Sequence, residues 1–108
     1  MEATEISIVV PVYNSENCLE QLNLQISKAL EHLNYELILV NDKSKDKSWE
    51  KIVALCGRDR KIKGISLKKN AGQDNAIMAG LSQAAGKYVV IMDDDLQHSP
   101  ADILKLYQ

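Results

Sequence analysis

Three consecutive carboxylates, Asp93, Asp94 and Asp95, follow the apolar run Tyr88 to Met92 and lead through Leu96-Gln97-His98 to Ser99-Pro100. Asp93 and Asp95, one residue apart, can turn hard oxygen ligands towards one divalent cation, and Gln97 adds a neutral carbonyl oxygen two residues on. That ligand set suits Mg2+ or Mn2+. An acidic turn that holds nothing is the plain alternative for an isolated Asp-x-Asp. The meaning of the cluster therefore depends on what the fold brings to it.

Two other apolar runs also end in polar residues. Ile6 to Val10 is stopped by Pro11-Val12-Tyr13-Asn14, and Leu37 to Val40 ends at Asn41-Asp42. Tyr13 offers a face on which a nucleobase or sugar can stack, worth ~1–3 kcal/mol per base in nucleic-acid binders; it can equally be a lid over the core. Asp42, acceptor-only when ionised, can take a ring N–H from uracil or guanine, or it can cap a helix in an Asx turn. Ser44 and Asp46 read as turn and cap residues, not ligands.

Elements of legible pattern must position these groups. The runs at 6–10, 37–40, 62–67 and 88–92 read as strands, the first, second and fourth buried and the third weaker. Between them, apolar residues recur at helical spacing: Leu19, Leu22, Ile26, Ala29, Leu30 and Leu33, then Trp49, Ile52, Val53 and Cys56 with Gly57 as C-cap. Ala76, Ile77, Gly80, Leu81 and Ala84 mark a small-residue helix ending at Gly86, and Ser99, Pro100 and Asp102 open a last helix. The alternation predicts an α/β fold, a Rossmann-like parallel sheet with helices on both faces. Ligands of such sheets bind beyond the carboxyl ends of the strands. All three polar clusters fall on that edge.

Neither a Gly-x-Gly-x-x-Gly turn nor a Walker Gly-Lys-Ser/Thr follows the first strand, so backbone amides are not expected to cradle a diphosphate. A metal at Asp93 and Asp95 would neutralise it instead. The economical picture is a nucleoside diphosphate with its base near Tyr13 and Asp42 and its phosphates at the acidic turn. At 108 residues the chain makes one domain, short for a two-substrate enzyme. A net charge of −2 argues against a nucleic-acid partner, and the basic residues from Arg58 to Lys69 read as a solvated loop. Cys18 and Cys56 lack metal-like spacing and read as reduced and inert. No apolar run approaches the ~20 residues of a membrane span and no secretory signal is evident, so a cytoplasmic location is expected.

Taken together, Val10-Pro11-Val12-Tyr13-Asn14, Val40-Asn41-Asp42-Lys43-Ser44, Asn70-Ala71-Gly72-Gln73 with Ala76, Gly80 and Gly86, and the Asp-x-Asp segment resemble the N-terminal half of a family 2 glycosyltransferase of the GT-A fold. The stretch from Asp93 to Pro100 is most similar to polyprenyl-phosphate glycosyltransferases. The resemblance implies a UDP- or GDP-linked sugar donor bound by Pro11, Tyr13, Val40, Asp42, Asp93 and Asp94, and a metal held by Asp93 and Asp95 with Gln97. It also implies inverting transfer through an oxocarbenium-like transition state, with the metal stabilising the leaving diphosphate. Three departures stand out. Ser15 occupies the usual acidic position two after the tyrosine, Lys43 replaces a turn glycine, and Asp94 replaces a small residue.

The expected acceptor is a polyprenyl phosphate, already anionic; a glycan hydroxyl is the alternative and would need a general base, expected beyond Gln108. Residues 1–108 are accordingly read as the nucleotide-sugar-binding part of a catalytic domain truncated at its C-terminal end, inactive alone. Membrane association of the full-length protein and oligomerisation stay open, as does a non-catalytic nucleotide-binding module.

Overall fold

The computed structural model describes residues 3–94 of the chain; Asp95, Gln97 and the helix expected from Ser99 lie outside the described residues. The element order is β1 (Ile6–Val12), α1 (Leu19–Ala29), β2 (Tyr35–Asn41), α2 (Ser48–Arg58), β3 (Ile62–Ser66), α3 (Gln73–Gln83) and β4 (Tyr88–Ile91). The four strands form one parallel sheet in the order β3-β2-β1-β4. The predicted α/β alternation is what the chain adopts.

Strand pleating sorts the core onto two faces. Ile6, Ile8, Val10 and Val12 of β1, with Leu37 and Leu39 of β2, meet Leu19, Leu22 and Ile26 of α1 and Ile52 and Leu55 of α2. Val9, Ile38 and Val40 face the other way, against Ala76 of α3. The sheet thus steps outwards from β1 to β3 under α1 and α2, then α3 carries the chain back across the opposite face to β4. That reversal puts a topological switch point between β1 and β4, where sheets of this kind open a crevice. Gly80 permits the close approach of α3, since a Cβ there would lie 2.4 Å from Val9 Cγ1.

Several expected boundaries move, for physical reasons. Pro11 does not stop β1. Val12 C=O accepts the Asp42 N–H on the β2 side, and Val9 C=O accepts the Met92 N–H on the β4 side. By alternation the Pro11 nitrogen faces the β4 side, where β4 has already ended at Ile91, so no ladder bond is missed. Gly57 lies inside α2 rather than capping it, and Asp59 takes the cap. Helix α3 ends at Gln83, short of Gly86, which is glycine because a Cβ would lie 2.6 Å from Ser7 N. The strand before the acidic turn is not buried: Tyr88, Val89 and Ile91 are exposed.

The amino-terminal end of the sheet holds a buried charge. Glu36, on β2, accepts the Ser7 hydroxyl at 2.5 Å and the Ala85 N–H at 2.6 Å on Oε2, and Lys63 Nζ stands 2.7 Å from Oε1. Ser7 Oγ in turn accepts the Gly86 N–H at 2.7 Å. Burial opposes ionisation of Glu36, but Lys63, Ser7 and the Ala85 N–H outweigh it and hold the carboxyl below its ordinary value.

Candidate functional site

At the opposite, carboxyl end the strand ends enclose a cleft of about 480 Å³. Pro11, Val12 and Tyr13 form its wall from β1, Asp42 comes from β2, Asn70, Gly72 and Gln73 come from the β3–α3 connection, and Asp93 and Asp94 come from the end of β4. The cleft sits at the switch point between β1 and β4.

The loops that form it are tied to one another by side chains. Asn14 adopts φ 52°, which lets its N–H donate to Ser44 Oγ at 3.0 Å while its Oδ1 accepts the Lys45 N–H at 2.8 Å. Ser15 N–H donates to Ser48 Oγ at 2.8 Å, and Asp46 accepts from Ser48 N–H, Ser48 Oγ and Glu16 N–H. Desolvation works against ionisation of Asp46, yet the Ser48 and Glu16 hydrogen bonds prevail and lower its pKa. Ser44 and Asp46 serve the loop as turn residues, but Asp46 is not the cap of α2: Lys47 takes that position, and Asp46 bonds Ser48 from one residue before it. Lys43, where a turn glycine was expected, has φ 52°, in the left-handed region that favours glycine.

Tyr13 is 42% exposed and stands at the cleft as an open ring face. Asp42 is 5% exposed, and it neither closes a local turn nor waits unpaired: its two oxygens accept the Ala71 N–H at 2.7 Å and the Gly72 N–H at 3.1 Å. It therefore fixes the loop before α3, whose Gly72 has φ 90°. A carboxylate has about four acceptor sites, so capacity towards the cleft is left. Asp93 accepts a hydrogen bond from Gln73 Nε2 at 3.3 Å. Asp94 Oδ2 accepts the Tyr13 N–H at 3.0 Å and the Ser15 hydroxyl.

Pro11, Tyr13, Asp42, Asp93 and Asp94 are thus brought together. Val40 is not: it is wholly buried between β2 and α3 and does not line the cleft. Asp95 and Gln97 lie outside the described residues, among which no group of three metal-ligating side chains occurs. The residues missed as site members are Val12, Asn70, Gly72 and Gln73. Their signal was positional, since the β3–α3 connection opens on the same sheet edge as the three polar clusters.

Comparison with known proteins accords with this geometry. The chain is 39% identical over 104 residues to a dolichol-phosphate mannosyltransferase of Pyrococcus furiosus, covering 96% of this chain and 29% of the relative. It is 42% identical over 105 residues to an undecaprenyl-phosphate 4-deoxy-4-formamido-L-arabinose transferase of Proteus mirabilis, covering 94% and 32%. The chain thus spans about a third of the length of the curated relatives it matches. Among solved structures it is similar to Staphylococcus aureus TarS 1-349 in complex with UDP, with a TM-score of 0.76 and 26% identity over 96% of this chain and 31% of that one. It also matches the mannosyltransferase PcManGT of Pyrobaculum calidifontis, in complex with GDP-Man and Mn2+, with a TM-score of 0.76 and 20% identity over 88% of this chain and 28% of that one. The family model for glycosyl transferase family 2 matches residues 7–108, and with the GT-A-like parallel sheet this establishes that the chain belongs to glycosyl transferase family 2.

Proposed function

We propose that the chain binds a nucleoside-diphosphate sugar for an inverting glycosyltransferase that transfers the sugar to a polyprenyl phosphate. One observation carries the reading: an aromatic residue after β1 and carboxylates after β2 and β4 share one cleft at the switch point of a parallel sheet. The nucleotide complexes of TarS and PcManGT support a UDP- or GDP-linked donor, and the lipid phosphates named for the two relatives support the acceptor.

In this reading Tyr13 stacks on the base, Asp42 accepts its ring N–H, and Pro11 lines the cleft between them. Among the described residues Asp93 accepts only the 3.3 Å bond from Gln73, and the acceptor capacity this leaves suits a hard cation. Asp93, with Asp95 and Gln97 two and four positions on in the sequence, would hold Mg2+ or Mn2+, whose chemistry is to stabilise charge on the leaving diphosphate. The Mn2+ in the PcManGT complex supports the use of a divalent metal. A polyprenyl phosphate attacks as an anion, so the described residues need to orient the donor rather than remove a proton. A cytoplasmic location, at a membrane face for the full-length protein, belongs to the same proposal; no described helix is long and apolar enough to cross a membrane.

Calorimetric titration of the full-length protein with uridine and guanosine diphosphates, with and without Mn2+, tests this. Metal-dependent binding of one of them is expected. Binding of neither overturns the reading, and sugar transfer to a glycan hydroxyl but not to a polyprenyl phosphate replaces the acceptor.

A further inference from the structure

Asp93 and Asp95 are the outer pair of the Asp-x-Asp motif, yet Asp94 between them in sequence is committed elsewhere. Its Oδ2 accepts both the Tyr13 N–H and the Ser15 hydroxyl. Ser15 is 9% exposed and fixed from behind by the bond from its own N–H to Ser48 Oγ. Its single hydroxyl proton has two acceptors within reach, the Tyr13 carbonyl at 3.1 Å and Asp94; the charged acceptor makes the stronger bond. Asp94 thus grips the peptide that carries the Tyr13 ring and the hydroxyl beside it. The turn after β4 is thereby joined to the loop after β1 across the mouth of the cleft. Ser15 and Asp94, two positions at which the chain departs from the pattern it resembles, are partners of each other.

We propose that Asp94 is a positioning residue, a latch that sets Tyr13 against the acidic turn so that the base and diphosphate ends of the cleft keep one spacing. The inference rests on the nucleotide reading above. Nucleoside diphosphate affinity of the full-length protein, titrated with Mn2+, tests it. Asp94→Ala is expected to weaken binding about tenfold, the scale of a hydrogen bond to a charged group. Asp94→Asn keeps an acceptor for the Tyr13 N–H and should weaken it no more than about threefold. On a Tyr13→Ala background Asp94→Ala should add less than about twofold, because residues that act through one another are not additive. A full loss on that background, or Asp94→Asn as damaging as Asp94→Ala, overturns the latch and makes Asp94 a direct contact.

Amide hydrogen exchange in the nucleotide-free protein separates the latch from the nucleotide reading. Asp94→Ala should speed exchange at Tyr13 by about tenfold, as local opening becomes easier. Unchanged exchange overturns the latch even where nucleotide binds. Faster exchange in a protein whose wild type binds neither nucleotide supports the latch and overturns the nucleotide reading.

Discussion

The two ends of the sheet both carry carboxylates, and they treat them in opposite ways. At the amino end Glu36 is enclosed, and Ser7, Ala85 and Lys63 occupy its oxygens at 2.5–2.7 Å. At the carboxyl end Asp42, Asp93 and Asp94 border an open cleft, and Asp93 is met only by a 3.3 Å bond from Gln73 among the described residues. The amino end joins β1, β2, β3 and the α3–β4 connection into one body. Asp42 and Asp94 each accept two protein donors, so among the described residues the contrast is sharpest at Asp93. A charged group whose oxygens are all met by protein is architecture; one with acceptors left over in a cleft is a candidate for binding.

The contrast can be broken from either side. The largest effect is expected at the amino end: Glu36→Ala strips partners from Ser7, Ala85 and Lys63 and should cost about 3 kcal/mol, read from the urea midpoint. A cost below about 1 kcal/mol, the scale of an ordinary surface pair, would make Glu36 no more structural than one. Acidification is a second probe. Because the folded pKa of Glu36 is depressed, its contribution is present above the ordinary value of 4.5 and lost as pH falls through the lower folded value. Stability should therefore decline below that pH, and the decline should be shallower in Glu36→Gln. Equal slopes would place the acid sensitivity elsewhere, with Asp46 the other depressed carboxyl.

At the carboxyl end the expected changes are smaller and one has the opposite sign. Lys43→Gly relieves a left-handed residue and should raise stability by about 1 kcal/mol. A loss on this substitution would show that Lys43 is held by contacts stronger than its backbone cost. The smallest stability effect belongs to Asp93→Asn, within about 0.5 kcal/mol of wild type, as for a surface change away from the core. The same variant should lose metal-dependent nucleotide binding. A fall in its melting temperature large enough to match Glu36→Ala would erase the distinction between the two ends.

What could be seen in the sequence followed from local pattern. The helical stripe Leu19-Leu22-Ile26 and the runs before Tyr13 and Asp42 placed the elements and the edge on which the polar groups gather. What escaped was set by partners distant in sequence. Glu36 reads as one polar residue in the apolar stretch from Tyr35 to Val40, and nothing local ties it to Ser7 or Ala85. Asp42 reads as a helix cap or a base acceptor, and nothing local announces the two backbone donors it meets in the loop before α3. Pro11 reads as a strand end in the sequence, yet β1 runs through it, because its missing N–H matters only where a neighbouring strand would use it and β4 is too short to do so. Val40 was assigned to the site by resemblance, but strand alternation turns it towards α3.

Strand order also bears on how the chain is made. β1 leaves the ribosome before β2 and β4, the two strands that flank it in the sheet. One flank can be satisfied once Asn41 has emerged; the other waits for Tyr88 to Ile91. At ~5–20 residues per second, that interval lasts roughly 2–10 s. For those seconds the middle of the future sheet is an open edge, with Val9 not yet enclosed. For that interval the segment from Ile6 to Val12 is an apolar target that a nascent-chain chaperone could shield.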